Sequence, residues 1–455
     1  MQINHKDLFW NYGATFLKIA SSVILLPLIL RRMPTEMVGI WSIFMTITAF
    51  ASLLDFGFNP SFARNITYVF SGVNNLNTKG YERVYSTTFQ TVDYGLLKGV
   101  ISAMQWFYFR MAFLLFLILS TFGTYYIYFI LENYKGDVTE IYIAWTILCL
   151  INTYNIFSLY YDSLLQGKGL VKKSKQIVII GYLVYLVMAS FLIFQGYGIV
   201  AIVSAQASSV IIIRWLSYKF FFTEEIKQKL AVAVARDKEE VLKAIYPNAL
   251  KIGLTSFGGF IVQRSALIIG SLYLTLNEIA TYGISMQLIA VITGLAGIYA
   301  ATFQPKIVQL RVENDLQQIK KIYVLGQIFL LSTFLVGGLL LIFFGEWGIG
   351  LIGSQTVLMN KSLIIFAVLV SFLECNHSIA GNMILTKNEV PFFKASLFSA
   401  LATIILLFIF FNFFDIRIAS MIAAPAIAQG VYQNWKWPIV VKNDLGIKFL
   451  DFFKI

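Results

Sequence analysis

Apolar residues gather along this chain into long runs parted by short polar breaks. A helix rising 1.5 Å per residue needs about 20 such residues to cross a hydrocarbon core of about 30 Å. The pattern predicts twelve spans, at 8–30, 38–70, 107–131, 141–165, 176–195, 199–220, 251–274, 279–305, 322–344, 361–385, 395–414 and 418–441. The second is too long for one straight crossing, so it is expected to bend at Gly57–Pro60 or to project beyond the bilayer. Proline removes a backbone donor and kinks a helix, so Pro27, Pro60, Pro305 and Pro425 mark further irregular points. The stretch 81–106 alternates at helical spacing and reads as a helix lying along the membrane surface before the third span.

The longest polar break, 221–250, is rich in Glu and Lys and reads as a surface helix. It divides the chain into a six-span lobe (1–222), a linker helix (223–250) and a second six-span lobe (251–455). Internal echoes support a repeat. Gly39-Ile40-Trp41-Ser42 precedes Asn59-Pro60 as Gly283-Ile284-Ser285 precedes Gln304-Pro305, and Leu165-QGKG-Leu170 is echoed by Leu385-TKNE-Val390. Six crossings return the chain to its starting side, so the repeats are expected to run parallel. The fold class expected is all-α integral membrane, with about twelve transmembrane helices in two six-helix lobes.

Composition agrees. The hydrophobic content is 58% of 455 residues, with a mean hydropathy of +0.75, outside the range of soluble globular chains. Two cysteines within spans and only two histidines leave no metal-ligand spacing, and no phosphate-loop lysine motif is present. No cofactor or metal is expected, and the chain does not read as an enzyme. A net charge of +12 suggests nucleic acid only until the charges are placed. Most basic residues fall in loops on one side, among them QGKGLVKKSK (166–175) and KFFFTEEIKQK (219–229), whereas the other loops are short and acidic. This is the asymmetry of cytoplasmic against external loops, and it places both termini in the cytoplasm. The partners expected are membrane lipids, not nucleic acid.

Ions within spans are costly in lipid and mark function by default. Lys18 and Arg264 occupy matching mid-span positions in the two repeats. Arg64 lies toward the inner end of the second span, and Arg31 and Arg32 follow the first span on the outside, against the charge rule. These five are the candidate substrate-binding cations, and guanidinium groups grip phosphate oxygens in pairs. Asp55, Glu374 and His377 are the candidate ion-coupling or charge-partner groups, the last two sharing a helix face. Arg110 and Arg214 read as interface anchors, and Asp162 as an interfacial partner. The cationic excess favours an anionic cargo.

The segment LLDFGFNPSFARNITYVFSG (53–72) resembles the second span of the Wzx-type polysaccharide flippases, which closes on a D-F-G motif. The stretch 260–310, with its short outer loop, acidic residue and Tyr282-Gly283, resembles spans seven and eight of the same family. The family belongs to the multidrug/oligosaccharidyl-lipid/polysaccharide (MOP) exporter superfamily. The resemblance implies a bacterial inner-membrane flippase whose two lobes surround a central cavity. Its cargo would be a polyprenyl-diphosphate-linked oligosaccharide, such as an O-antigen or capsule repeat unit, and its neighbours a polysaccharide polymerase and glycosyltransferases. Many relatives carry an acid in span seven near 265, whereas this chain has Arg264-Ser265, so ion coupling through that acid does not carry over. The alternative expectation is a cation-coupled multidrug antiporter of the same fold, which would want a cavity dominated by acids. A membrane polymerase or ligase would need a larger outer domain than these loops supply.

Overall fold

Hydrocarbon offers no water to a backbone amide, so a chain this apolar satisfies its backbone within helices. The computed structural model describes residues 5–70, 72, 92–132, 134–312, 314–387, 391–448 and 451, and it contains no strand among them. Nine helices among the described residues are long and apolar enough to cross a membrane. Their outward faces carry large apolar side chains such as Phe109, Phe113, Phe122, Leu335, Leu339 and Phe343. Polar groups such as Ser163, Ser209, Thr403 and Gln433 are buried among the helices instead. That distribution is the reverse of a water-soluble surface. The protein is an all-α integral membrane protein.

The chain divides into two units. The first, residues 1–32 and 44–257, holds α1 (His5–Arg32), the second half of α2 (Thr35–Leu53), α3 (Phe58–Phe70), α4 (Tyr94–Ile118), α5 (Thr124–Leu131), α6 (Val138–Phe157), α7 (Tyr160–Gly167), α8 (Val171–Phe194), α9 (Gly198–Phe221), α10 (Glu224–Val232) and the start of α11 (Lys238–Gly270). Here α8 packs on α9 and α1, α6 on α9 and α4, and α3 on α7. The second, residues 33–43 and 258–455, holds the end of α11 (Lys238–Gly270), α12 (Leu276–Val312), α13 (Leu316–Ile352), α14 (Lys361–Leu385), α15 (Phe393–Phe413), α16 (Ile418–Gly430) and α17 (Gln433–Asp444). In it α12 packs on α13 and α14, α15 on α16, and α14 on α17.

The long second span bends where the D-F-G sequence falls. Between α2 and α3, Phe56 and Gly57 both take left-handed backbone angles, φ 45° and 69°. Asp55 Oδ1 accepts from the amide of Asn59, 2.9 Å away, satisfying a first-turn donor that α3 leaves unpaired. Gly253 of α11 lies against the Phe56 backbone, where a Cβ would come within 2.7 Å. Pro60 then sits in the opening turn of α3, where a missing amide hydrogen costs nothing. Two further spans are broken, the fourth between α6 and α7 and the last between α16 and α17. A π-helical turn, Leu119–Gly123, joins α4 to α5, with Trp145 Nε1 donating to Thr124 Oγ1 at 3.0 Å beside it.

Two sequence expectations are corrected. The stretch 81–106 is not a separate surface helix over its described part. Residues 81–91 lie outside the described residues, and α4 begins at Tyr94 and runs unbroken to Ile118. Asp93 caps it by accepting from Leu96 N at 2.8 Å, which fixes the start within the expected surface helix. The 221–250 break is not one helix either. After α10, residues 233–236 run along the start of α4, where Lys98 Nζ donates to the Ala233 carbonyl (2.9 Å) and Arg236 pairs with Asp93 (2.9 Å). The chain then enters α11, which continues from Lys238 into the seventh span.

The two glycines that mark the repeat pack against each other's helices within the second unit. A Cβ on Gly39 would overlap the Leu276 carbonyl, and one on Gly283 would overlap Ser42 Oγ. Small residues therefore let the first turns of α2 approach those of α12 closely, the usual device for packing helices in lipid. The turn before α12 is closed by Glu278, which accepts from Thr275 N (3.1 Å) and from Arg417 Nε and Nη2 (2.6 Å each).

Candidate functional site

In the first unit, the bend at 54–57 seeds a polar network inside an apolar helix cluster. Asp55 Oδ1 accepts from the Tyr108 hydroxyl at 2.6 Å as well as from Asn59 N, and Tyr108 is fully buried. Asn59 reaches the broken fourth span: its side chain donates to Asp162 Oδ2 (3.4 Å) and accepts from Ser163 Oγ. Asp162 also accepts from Gln166 Nε2 (2.9 Å) and Ser174 Oγ (3.2 Å). Arg214 of α9 lies within electrostatic reach of both Asp162 and Tyr108, and its Nη2 donates to Asn155 Oδ1 at 2.7 Å. Arg214 is 7% exposed and its Nε has no partner.

This corrects the reading of Arg214 as an interface anchor and of Asp162 as an interfacial partner. Arg214 is a buried cation within electrostatic reach of the Asp162 carboxylate. The carboxyl groups already have donors, so the network reads first as the brace of the bend. Sequence reasoning singled out Asp55 but missed Tyr108, Asn59 and Ser174 as its surroundings. The only signal was polar residues at 154, 155, 162 and 214 within apolar runs, which does not say which helices pair.

In the second unit, Arg264 of α11 is exposed and makes no hydrogen bond or ion pair among the described residues. The helix ends at Gly270, so Arg264 stands about 9 Å from that end, closer than the predicted span placed it. Glu374 of α14 is half-buried and likewise has neither hydrogen bond nor ion pair among the described residues. Both lie within electrostatic reach of the buried Tyr282 of α12. Ser265 is buried with its hydroxyl unpartnered. His377 does not join Glu374. Its Nδ1 is hydrogen-bonded to Asn434 Oδ1 of α17 at 2.8 Å.

The other candidates are dispersed. Arg31 and Arg32 are exposed at the end of α1, Arg32 with its guanidinium 5.6 Å from the Phe194 ring. Arg64 is exposed on α3 with no ion pair among the described residues. Lys18 lies on α1, and its side chain is outside those described. Arg110 is exposed and stacks over Trp106 at 3.8 Å. No group of three or more His, Cys, Asp and Glu side chains suited to a metal occurs among the described residues.

The arrangement of helices has solved counterparts. An inward-facing multidrug resistance MATE family transporter of the MOP superfamily superposes with a TM-score of 0.68 at 15% identity, covering 95% of this chain and 94% of that one. The chain has the MOP transporter fold. The lipid II flippase MurJ, in an inward closed conformation, matches at a TM-score of 0.63 and 14% identity, over 98% of this chain and 88% of that one. A MOP superfamily transporter from Pyrococcus furiosus, described as having a binding pocket of reversed polarity, matches at 0.56 and 14% identity, over 97% and 96%. No family model and no curated protein matches the sequence.

Proposed function

We propose that this MOP-fold protein is a flippase that moves a polyprenyl-diphosphate-linked oligosaccharide from the cytoplasmic to the outer leaflet by alternating access. The observation that carries this reading is Arg264 of α11, an exposed guanidinium with no hydrogen bond or ion pair among the described residues. An ion held in that setting without a counter-ion is suited to an anionic ligand. Arg31 and Arg64 are likewise unpaired among the described residues, whereas Asp55 and Asp162 are occupied by donors within the protein. In this reading Arg264 and Lys18 hold the diphosphate, and Arg31, Arg32 and Arg64 favour its approach and exit. Both termini face the cytoplasm of a bacterial inner membrane, and the polymerase and glycosyltransferases of the same polysaccharide are the working partners. The likeness to MurJ is compatible with a lipid-linked cargo.

One observation favours a second reading, a cation-coupled multidrug antiporter. Glu374 is an unpartnered acid within the second unit, and MATE transporters share the fold.

Surface-glycan export in a cell lacking its own flippase separates the two. A charge-assisted hydrogen bond contributes about 1.5–3 kcal/mol, so Arg264→Ala and Lys18→Ala should each lower export about tenfold or more at normal protein level. Full export by both variants and by the double variant would remove these cations from the mechanism and favour the antiporter.

A further inference from the structure

A pocket of about 360 Å³ opens within the second unit, bounded by α12, α14 and α17. Its volume lies at the lower end of the roughly 300–1,000 Å³ typical of small-ligand sites. Three cations, Arg311, Lys387 and Lys436, line it against a single acid, Asp444, and Tyr432 and Trp437 form an aromatic wall beside Met383 and Val440.

Two of those cations have an internal explanation. Arg311 and Lys387 stand at the C-terminal ends of α12 and α14, where the helix dipole favours positive charge. Asp444 accepts from Arg311 Nη2 at 2.6 Å and from Lys387 Nζ. Burial raises the Asp444 carboxyl pKa, but these two partners outweigh it and hold the group below the usual carboxylate range, so the acid stays charged and engaged.

Lys436 has no such explanation. It lies in the first turn of α17, where the dipole disfavours a cation, and its ammonium makes no ion pair or hydrogen bond among the described residues. Arg311 Nε is also buried with no partner. The Lys436 ammonium and the Arg311 Nε donor therefore line one cavity with nothing among the described residues to receive them. Oxygen-rich anions meet that need, and phosphate suits it best, because it offers several acceptors to a guanidinium and an ammonium at once.

We propose that this pocket binds a phosphate group, through Lys436 and Arg311, at the cytoplasmic surface of the second unit. The charge asymmetry of the loops places the C-terminal ends of α12, α14 and α17 on the cytoplasmic side. Tyr432, Trp435 and Trp437 near the start of α17 form an aromatic cluster of the kind that sits at headgroup level. Basic pockets between helices on that side are where anionic lipid headgroups bind. The phosphate is carried either by an inner-leaflet anionic phospholipid or by a soluble phosphate. The site is independent of what the protein transports.

The test uses the full-length protein purified in neutral detergent. Its thermal midpoint is followed by tryptophan fluorescence with added phosphatidylglycerol, phosphatidylcholine or inorganic phosphate, and bound lipid is counted by native mass spectrometry. Phosphatidylglycerol should raise the midpoint by ~3 °C or more and phosphatidylcholine should not. Lys436→Ala should weaken that effect about tenfold, and Lys436→Arg should keep it. Protection by inorganic phosphate that is lost in Lys436→Ala would assign a soluble ligand to the same site. No protection by either phosphate source, or equal protection of wild type and Lys436→Ala, would overturn the proposal. The Lys436 ammonium bonds to nothing among the described residues, so the unliganded midpoint of Lys436→Ala should match wild type. If it does not, the comparison rests on Lys436→Gln.

Discussion

Arg214→Ala should lose most of its folded protein, the largest stability effect expected of any single substitution in the first unit. Arg214 is the buried cation near Asn155, Asp162 and Tyr108, and its removal leaves the Asp162 carboxylate without that positive neighbour. Breaking a buried charge arrangement on one side costs about 3–5 kcal/mol, a large share of the roughly 5–15 kcal/mol that holds a typical domain together. The damage should fall on the bend, because the same network holds Asn59 and Asp55 at the start of α3. The measurement is the monodisperse yield and thermal midpoint in detergent, with Arg64→Ala as an exposed control that should unfold like wild type. Adding Asp162→Asn to Arg214→Ala removes one orphaned charge and should recover part of the loss, since neighbouring sites couple. A wild-type midpoint for Arg214→Ala would mean that the buried guanidinium is not what steadies the bend.

The second large effect concerns the driving force. A diphosphate-linked cargo takes about two negative charges outward across an inside-negative membrane, a gain of up to 2 × ~2.3 kcal/mol per 100 mV. That corresponds to a shift of roughly a thousandfold in the balance between leaflets. If the cationic site moves with the cargo, the loaded step is nearly electroneutral and the field instead draws the empty site back inward, so the cycle gains the same energy once. In vesicles holding the purified protein, collapsing the potential should therefore abolish most net outward movement of the lipid-linked glycan. A cationic drug would feel the opposite sign: the field would resist its export. Flipping unaffected by the potential would contradict this driving force and return attention to Glu374 as a coupling site.

Much of the architecture was legible in the sequence because lipid imposes a simple rule. Apolar runs must be helices, and the excess length of the second span required the bend that Asp55, Phe56 and Gly57 provide. The Gly39 and Gly283 echo likewise marked a real packing point, since only glycine allows α2 and α12 so close. Helix ends were less legible. Periodicity in 81–106 looks alike for a surface helix and for the first turns of a span, and only the Asp93 cap locates the start of α4. The polar run 238–250 looked separate from the seventh span because hydropathy, not backbone continuity, defines a predicted span, whereas α11 crosses that boundary without a break.

The site residues divide on similar lines. Arg264 stood out as an ion in an apolar run, and it proved exposed and without an ion pair among the described residues. Arg214 gave the same signal yet is buried and engaged. The difference lies in which neighbouring helices present Asn155 and Asp162, a tertiary fact that one sequence does not encode locally. Glu374 and His377 share a helix face by spacing, but the histidine turns to Asn434 because α17 packs on that side of α14.

The most direct measurement reconstitutes the protein in vesicles and follows a fluorescent polyprenyl-diphosphate oligosaccharide from one leaflet to the other, beside efflux of a cationic dye. Protein-dependent movement of the glycolipid, slowed about tenfold or more by Arg264→Ala, with no transport of the dye, is the result expected of a flippase with a cationic site. Exchange of the dye for protons or sodium, with the glycolipid left in its starting leaflet, would contradict it.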